Sequence, residues 1–176
     1  MPRYGAVIDL KRCYGCYACN LACKHCRAAA INKPYEGELD TPAAFRLMDQ
    51  IAEVGQPIVI LTGGEPLLRD DIFDIARYGT DKGLRLEMAP NGTLMTPEHA
   101  QRMVDSGIKR ISISLDGATR EKHDSFRGVE GAYDGALRGI EYAKAAGLDF
   151  QINTTISKLN LDQIPRIQEL AVKLGA

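Results

Sequence analysis

All five cysteines of this chain lie in one short segment, from Cys13 to Cys26, and no cysteine follows it. Disulfides join distant parts of a secreted chain, and an odd count would leave one thiol without a partner. Thiolates gathered in a single segment are instead typical ligands of soft metals and of iron–sulfur clusters. The spacing therefore predicts a cluster or metal site, and it indicates a reducing compartment.

Two ligand patterns overlap in this segment. Cys13, Cys16, Cys19 and Cys23 have the spacing of a bacterial ferredoxin, whose fourth cysteine serves a second cluster and precedes a proline. Neither that proline nor a second set of four cysteines is present. The triad Cys19, Cys23 and Cys26 would leave one iron of a [4Fe–4S] cluster without a protein ligand, and catalysis at a metal needs such an open position. The two patterns share two cysteines, so only one can hold a complete cluster, and we favour the triad.

The elements that must position these cysteines follow from the periodicity of the chain. Short β-rich runs predict strands at Tyr4–Leu10, Pro57–Thr62, Leu84–Ala89, Lys109–Leu115 and Asp149–Ile156. Amphipathic stretches predict helices at Pro42–Val54, Asp70–Lys82, Pro97–Ser106, Tyr133–Ala146 and Leu161–Leu174. This alternation predicts an α/β fold with about five parallel strands and the helices outside. Five strands do not close a barrel, so we expect an incomplete (β/α) barrel, with a loop at Gly117–Ala132.

Polar and glycine residues follow the predicted strands at the points where the strands end. In parallel α/β folds the carboxyl ends of the strands meet at one rim, and sites form there. Each of these segments alone is explained as a turn, but together they converge beside the cysteines. They are Thr62–Pro66, Pro90–Thr93, Ser114–Gly117 and Asn153–Thr155.

Composition excludes several classes of protein. The 176 residues carry 22 basic and 23 acidic side chains, which argues against a nucleic-acid-binding protein that works through a broad basic field. The longest apolar run near a strand, Ile58–Leu61, is far too short for a membrane span. The first ten residues do not have the build of a signal peptide. We therefore expect a cytoplasmic protein.

The residues Cys19–Arg27, the segment Gly63–Leu68 (GGEPLL) and the SxD motif at Ser114–Asp116 resemble the radical S-adenosylmethionine (SAM) superfamily. Residues from about 20 to 176 are most similar to its heme b synthase and heme d1 biosynthesis branch. Residues 3–24 also resemble a ferredoxin-like iron–sulfur subunit. We expect residues 1–26 to form an N-terminal strand and a cysteine-rich cluster-binding loop. Residues 27–176 would then form a radical SAM partial barrel, TIM-like and truncated before its sixth strand.

The resemblance also implies ligands. Cys19, Cys23 and Cys26 would bind the [4Fe–4S] cluster, and SAM would chelate its open iron. Further residues would contact SAM: Gly63 and Gly64 at the methionine moiety, Glu65 at the ammonium group, Asn91 at the ribose, Ser114 and Asp116 at the carboxylate and ribose hydroxyls, and Arg127 at the carboxylate.

The implied activity is reductive cleavage of SAM and abstraction of a hydrogen atom, in the oxidative decarboxylation of porphyrin propionates. An iron porphyrin would be the substrate, and a ferredoxin or flavodoxin would supply the low-potential electron. Three alternatives stay open from the residues. The first is an enzyme that modifies a peptide by the same radical chemistry. The second is an electron-transfer protein whose cluster is bound by Cys13, Cys16, Cys19 and Cys23. The third is an inactive fragment.

Overall fold

The computed structural model describes residues 18–26, 30, 33 and 37–176. Within them, four strands form one parallel sheet in the order β1-β2-β3-β4. The strands are β1 (Ile58–Leu61), β2 (Arg85–Met88), β3 (Arg110–Ser114) and β4 (Asp149–Asn153). All four match predicted strands, and the fifth predicted strand, Tyr4–Leu10, lies outside the described residues.

Helices connect the strands, and the five predicted ones are confirmed. They are α1 (Thr41–Val54), α2 (Ile72–Asp81), α3 (Pro97–Asp105), α5 (Ala132–Ala145) and α6 (Ile164–Leu174). Short 3₁₀ turns at Pro66–Leu68 and Leu161–Gln163 complete the connections. The parallel sheet, open over the described residues and joined through helices, confirms the predicted partial barrel.

The core lies between the helices and one face of the sheet. Side chains alternate along a strand, so Leu86 and Met88 of β2 and Ile111 and Ile113 of β3 share the helix-covered face. All four are completely buried. Burial of one such side chain contributes about 1.5–3 kcal/mol. The helices complete this cluster with Met48, Ala76, Met103, Ile140 and Ala143.

One helix is absent from the prediction. The stretch Gly117–Ala132 was expected to be a loop, but it contains α4 (Arg120–Arg127). The Thr119 side chain accepts a hydrogen bond that caps the helix N-terminus, and Gly128 ends it in the left-handed conformation at φ 71°. The prediction was wrong because a search for apolar periodicity has almost nothing to detect here. Phe126 is the single apolar residue of the helix, and its other buried residues are His123 and Arg127.

In the part of the chain that the structure describes, no helix is both long and apolar enough to cross a membrane. The expected division of the chain at residue 26 stays a prediction.

Candidate functional site

A cavity of about 350 Å³ opens at the carboxyl ends of the strands. This size falls in the range of sites that hold small molecules and cofactors. The predicted site residues that line it are Cys19, Cys23, Cys26, Gly63, Gly64, Asn91, Ser114 and Arg127. Asn153, the last residue of β4, and Thr155, two residues beyond it, also contribute to the wall. Glu65 and Asp116 do not line the cavity, because their side chains are completely buried beside it.

The three cysteines of the triad are free thiols of intermediate exposure. Each sulfur lies within reach of one N–H donor. Cys19 Sγ accepts from the Leu21 backbone at 3.5 Å, and Cys26 Sγ accepts from the Ala30 backbone at 3.4 Å. Cys23 Sγ accepts from Arg127 Nη1 at 3.7 Å. Donors of this kind stabilise the thiolate form, which is the form that binds metal.

Burial raises the pKa of the Cys19 thiol, and the nearby Glu65, Cys23 and Cys26 raise it further, while the Leu21 N–H opposes them. Binding of this thiol to a metal would displace its proton. Cys13 and Cys16, which belong to the alternative ferredoxin pattern, lie outside the described residues.

Among residues 18–26, 30, 33 and 37–176, no group of three or more His, Cys, Asp or Glu side chains is arranged to hold a metal ion.

The cysteine loop, residues 19–26, packs on the carboxyl end of α4. The Lys24 backbone donates to the Phe126 carbonyl oxygen at 3.1 Å, and the His25 and Phe126 rings lie 4.4 Å apart. Gly128 follows directly, and a Cβ at this position would lie 2.3 Å from the Ala22 carbonyl oxygen. The glycine is thus required both for its positive φ and for this close approach. The helix that sequence analysis missed is the surface on which the cysteine loop rests.

A closed ring of side-chain hydrogen bonds ties the same loop to the segment after β2. Asn91 Nδ2 donates to Asn20 Oδ1 at 2.9 Å, and Asn20 Nδ2 donates to Thr93 Oγ1 at 2.7 Å. Thr93 Oγ1 donates in turn to Asn91 Oδ1 at 2.6 Å. Asn20 lies between two cysteines of the triad, so the ring fixes the path of the cysteine loop. Asn91, predicted at the ribose, lines the cavity and is also a member of this ring.

Glu65 connects two loops of the rim. Its carboxylate oxygens accept from the Leu67 backbone at 3.1 Å and the Asn91 backbone at 2.7 Å, and its own N–H donates to the Ala18 carbonyl. Burial raises the pKa of this carboxyl to about 7, although the two N–H donors and Arg127 lower it. The side chain positions neighbouring backbone, and its expected contact with an ammonium group stays a prediction.

Asp116 and Arg127 form a buried ion pair at 2.5 Å between Oδ2 and Nη2. The other Asp116 oxygen accepts from the Thr155 backbone at 2.7 Å, and the Asp116 N–H donates to His123 Nδ1 at 3.1 Å. Burial is the main cause that lowers the pKa of His123 to about 4, so its ring is neutral at pH 7 and its Nδ1 accepts. The predicted partners of Asp116 and Arg127 were SAM groups, whereas the structure pairs these two residues with each other.

Sequence reasoning did not find Asn20, Thr93 or His123. Asn20 and Thr93 lie in segments that sequence analysis had already singled out, and a search for hydrogen-bonding side chains there would have included them. His123 carried no signal, because its partner Asp116 lies seven residues away along a segment predicted as loop.

Residues 14–171 match the family model of the radical SAM superfamily. The chain is 54% identical over 159 residues to the AdoMet-dependent heme synthase of Nitratidesulfovibrio vulgaris, which covers 90% of this chain and 43% of that enzyme. It is 40% identical over 152 residues to the Fe-coproporphyrin III synthase of Methanosarcina barkeri, covering 86% of this chain and 38% of the relative.

Among solved structures, Streptococcus suis SuiB bound to S-adenosylmethionine superimposes with a TM-score of 0.76. This match has 18% identity and covers 92% of this chain and 36% of that one, so it bears on the fold. The chain spans less than half the length of the curated relatives it matches. Together with the family match over most of its length, these findings show that the chain belongs to the radical SAM superfamily.

Proposed function

We propose that this chain carries the cofactor-binding part of a radical SAM enzyme of heme biosynthesis. Cys19, Cys23 and Cys26 bind a [4Fe–4S] cluster, and SAM binds the iron that has no protein ligand. The observation that carries this proposal is the convergence of three free thiols on one cavity that the GG segment after β1 also lines.

The donor set supports a cluster bound by these three cysteines. Each sulfur lies beside one N–H donor, and such donors stabilise a metal-bound thiolate. In a [4Fe–4S] cluster each thiolate binds a different iron, so the sulfurs need not meet at one point. When bound, the cluster and SAM supply an electron and a sulfonium that yield a carbon radical able to abstract hydrogen.

The chain's own residues would orient the nucleotide. Gly63 and Gly64 line the cavity without a side chain, so the backbone there can approach a ligand closely. Ser114 at the end of β3 offers a hydroxyl group to the cavity, and Arg127 offers a positive charge. The rim loops that carry these residues are held by Glu65 and by the Asn20–Asn91–Thr93 ring. This fixed arrangement lowers the entropic cost of aligning the reacting groups.

The substrate that we propose for the whole protein is an iron porphyrin, and the reaction is oxidative decarboxylation of its propionates. The heme synthase and Fe-coproporphyrin III synthase relatives support this class. For each propionate, one hydrogen atom would pass to the adenosyl group lost from SAM, which leaves as 5′-deoxyadenosine. Carbon dioxide would leave, a vinyl group would form, and the remaining electron would pass to a one-electron acceptor such as a redox protein. A ferredoxin or flavodoxin supplies the electron for SAM cleavage. The three free thiols support a reducing, cytoplasmic setting.

The test is anaerobic reconstitution of the 176-residue chain with iron and sulfide, followed by dithionite and SAM. Formation of 5′-deoxyadenosine is the expected result. A reconstituted cluster that forms none would contradict the proposed function.

Cysteine variants separate the two ligand patterns. Cys26→Ala is expected to abolish the cluster, while the matched variants Cys13→Ala and Cys16→Ala retain it and still produce 5′-deoxyadenosine. Loss of the cluster in Cys13→Ala, with retention in Cys26→Ala, would instead identify an electron-transfer protein with a ferredoxin pattern.

A further inference from the structure

Arg127 is the last residue of α4, and its guanidinium lies between a cysteine of the triad and a buried carboxylate. Nη1 donates to Cys23 Sγ at 3.7 Å, and Nη2 pairs with Asp116 at 2.5 Å. The side chain is 9% exposed, and its Nε is buried without a hydrogen-bond partner among the described residues. The contacts with Cys23 and Asp116 therefore fix the position of the guanidinium charge.

We propose that Arg127 sets the reduction potential of the cluster, with Asp116 as the positioning residue that holds it there. This inference rests on the proposed function, because it concerns the cluster that Cys23 helps to bind. A cluster gains one negative charge when it is reduced, and a nearby buried cation stabilises that charge. Hydrogen bonds to cluster sulfurs and local charge are the means by which proteins tune such potentials.

The field of this guanidinium reaches beyond its two contacts. Burial raises the pKa of Glu65, and Arg127 is one of the groups that oppose this increase. Lys24, the basic residue of the cysteine loop, directs its ammonium group to Ser125 Oγ in an exposed contact. Solvent screens that exposed charge. Of the two cations just compared, Arg127 is therefore the buried one, and it is the one that contacts the triad.

The same helix offers a matched control. Arg120, at the first turn of α4, pairs with Asp134 at 2.9 Å, but its side chain is 65% exposed. Replacing either arginine by glutamine removes one positive charge from α4. Arg127 contacts a cysteine of the triad, whereas Arg120 contacts a surface carboxylate.

The experiment is a dye-mediated redox titration of the reconstituted cluster without SAM, followed by electron paramagnetic resonance. Arg127→Gln is expected to shift the midpoint potential to more negative values, because the reduced cluster loses its neighbouring cation. Arg127→Lys, which keeps the charge, should shift it less, and Arg120→Gln should leave it unchanged. An unchanged potential in Arg127→Gln would overturn the inference.

If Arg127→Gln fails to fold because Asp116 is left unpaired, the double variant Asp116→Asn/Arg127→Gln removes both charges and takes its place. A smaller shift to more negative values is then the expected result, because the lost Asp116 charge offsets part of the lost Arg127 charge but only the guanidinium contacts Cys23. An unchanged potential again overturns the inference. Loss of the cluster from all Arg127 variants, with an unchanged circular dichroism spectrum, would show that the guanidinium retains the cluster rather than tunes it. If the parent chain itself binds no cluster or cleaves no SAM, the proposed function fails instead.

Discussion

The core and the rim of this molecule are both buried, but different forces hold them. Behind the sheet, Met88, Ile111 and Ile113 are completely buried among other apolar side chains, and their contacts have no required direction. At the carboxyl ends of the strands, Glu65 and Asp116 are equally buried, and each is matched to named donors. Dispersion and hydrophobic contacts tolerate small changes of shape, whereas a buried polar group that loses its partner is costly.

The stability of the cysteine loop therefore depends on a small number of contacts with defined geometry. The loop is held by α4, through a backbone hydrogen bond and the His25–Phe126 ring contact, and by the hydrogen bonds of the Asn20–Asn91–Thr93 ring. A destabilising substitution at the rim should therefore be compensated by a second substitution that restores or removes the matching polar group. In the core, any apolar side chain of similar volume should restore stability.

The largest effect is expected when the ion pair of the rim is broken. Arg127→Met should lower the free energy of unfolding by about 3–5 kcal/mol, because Asp116 then stays buried and charged without its ion-pair partner. The double variant Asp116→Asn/Arg127→Met should recover most of this loss. Urea unfolding followed by circular dichroism measures both. A double variant no more stable than Arg127→Met would show that the pair is not the cause.

A comparable truncation in the core gives the contrasting case. Ile113→Ala should cost about 2–5 kcal/mol, because it removes buried methyl groups and leaves a cavity. Ile113→Val should cost about 0.5–1.5 kcal/mol, since most of the volume remains. Urea unfolding of the two variants checks this order. Equal losses in both would mean that packing at this position does not set the stability.

The pH dependence of the free energy of unfolding tests the contact between His123 and the Asp116 N–H. His123 has a pKa of about 4 in the folded chain, against 6.5 for an unperturbed histidine. Because the folded pKa is lowered, its contribution is complete above about pH 6.5 and is lost as the pH falls towards 4. The loss over that window is roughly 3 kcal/mol.

The control for this prediction is His123→Asn, which keeps an acceptor for the Asp116 N–H but does not titrate. Subtracting its unfolding free energy from that of the parent removes the opposite contribution of Glu65, whose pKa is raised to about 7. A parent-minus-variant difference that stays constant between pH 6.5 and 4 would contradict a neutral His123.

The smallest effects on the free energy of unfolding are expected at two nearby threonines. Thr93 belongs to the Asn20–Asn91–Thr93 ring, and Thr96 caps the N-terminus of α3. Thr93→Val should cost about 1–3 kcal/mol, because Asn20 and Asn91 each lose a partner. Thr96→Ala removes the cap of α3, where the Thr96 side chain accepts from the His99 backbone, and should cost about 1 kcal/mol.

Hydrogen–deuterium exchange distinguishes these two variants further. Thr93→Val should increase exchange in residues 19–26, whereas Thr96→Ala should increase it at the first turn of α3. Increased exchange of the cysteine loop in both variants would mean that the ring has no specific role.

The same contrast explains how much of the structure could be predicted from the sequence. The strands around Ile60, Met88 and Ile113 and the helices that cover them follow apolar periodicity, so their positions were predicted. The rule that parallel strands end at one rim predicts that the cysteines of the triad lie beside Asn91 and Ser114, and all of them line the same cavity. These predictions rest on patterns within a few neighbouring residues.

The remainder depends on partners that no local pattern reveals. Asn20 pairs with Thr93 across 73 positions, and Arg127 contacts Cys23 across 104. Helix α4 buries a histidine and an arginine, so its inward face does not stand out as apolar. The predicted SAM contacts of Glu65, Asp116 and Arg127 came from a resemblance, and the contacts within the protein that these side chains also make required the three-dimensional structure.

The central claim is that the cysteine triad leaves one iron of the cluster for SAM, and Mössbauer spectroscopy of the chain reconstituted with ⁵⁷Fe tests it most directly. The account predicts that adding SAM changes the spectrum of one iron in four, because only that iron has no protein sulfur. Four irons whose spectra do not respond to SAM, in a chain with a complete cluster, would contradict it.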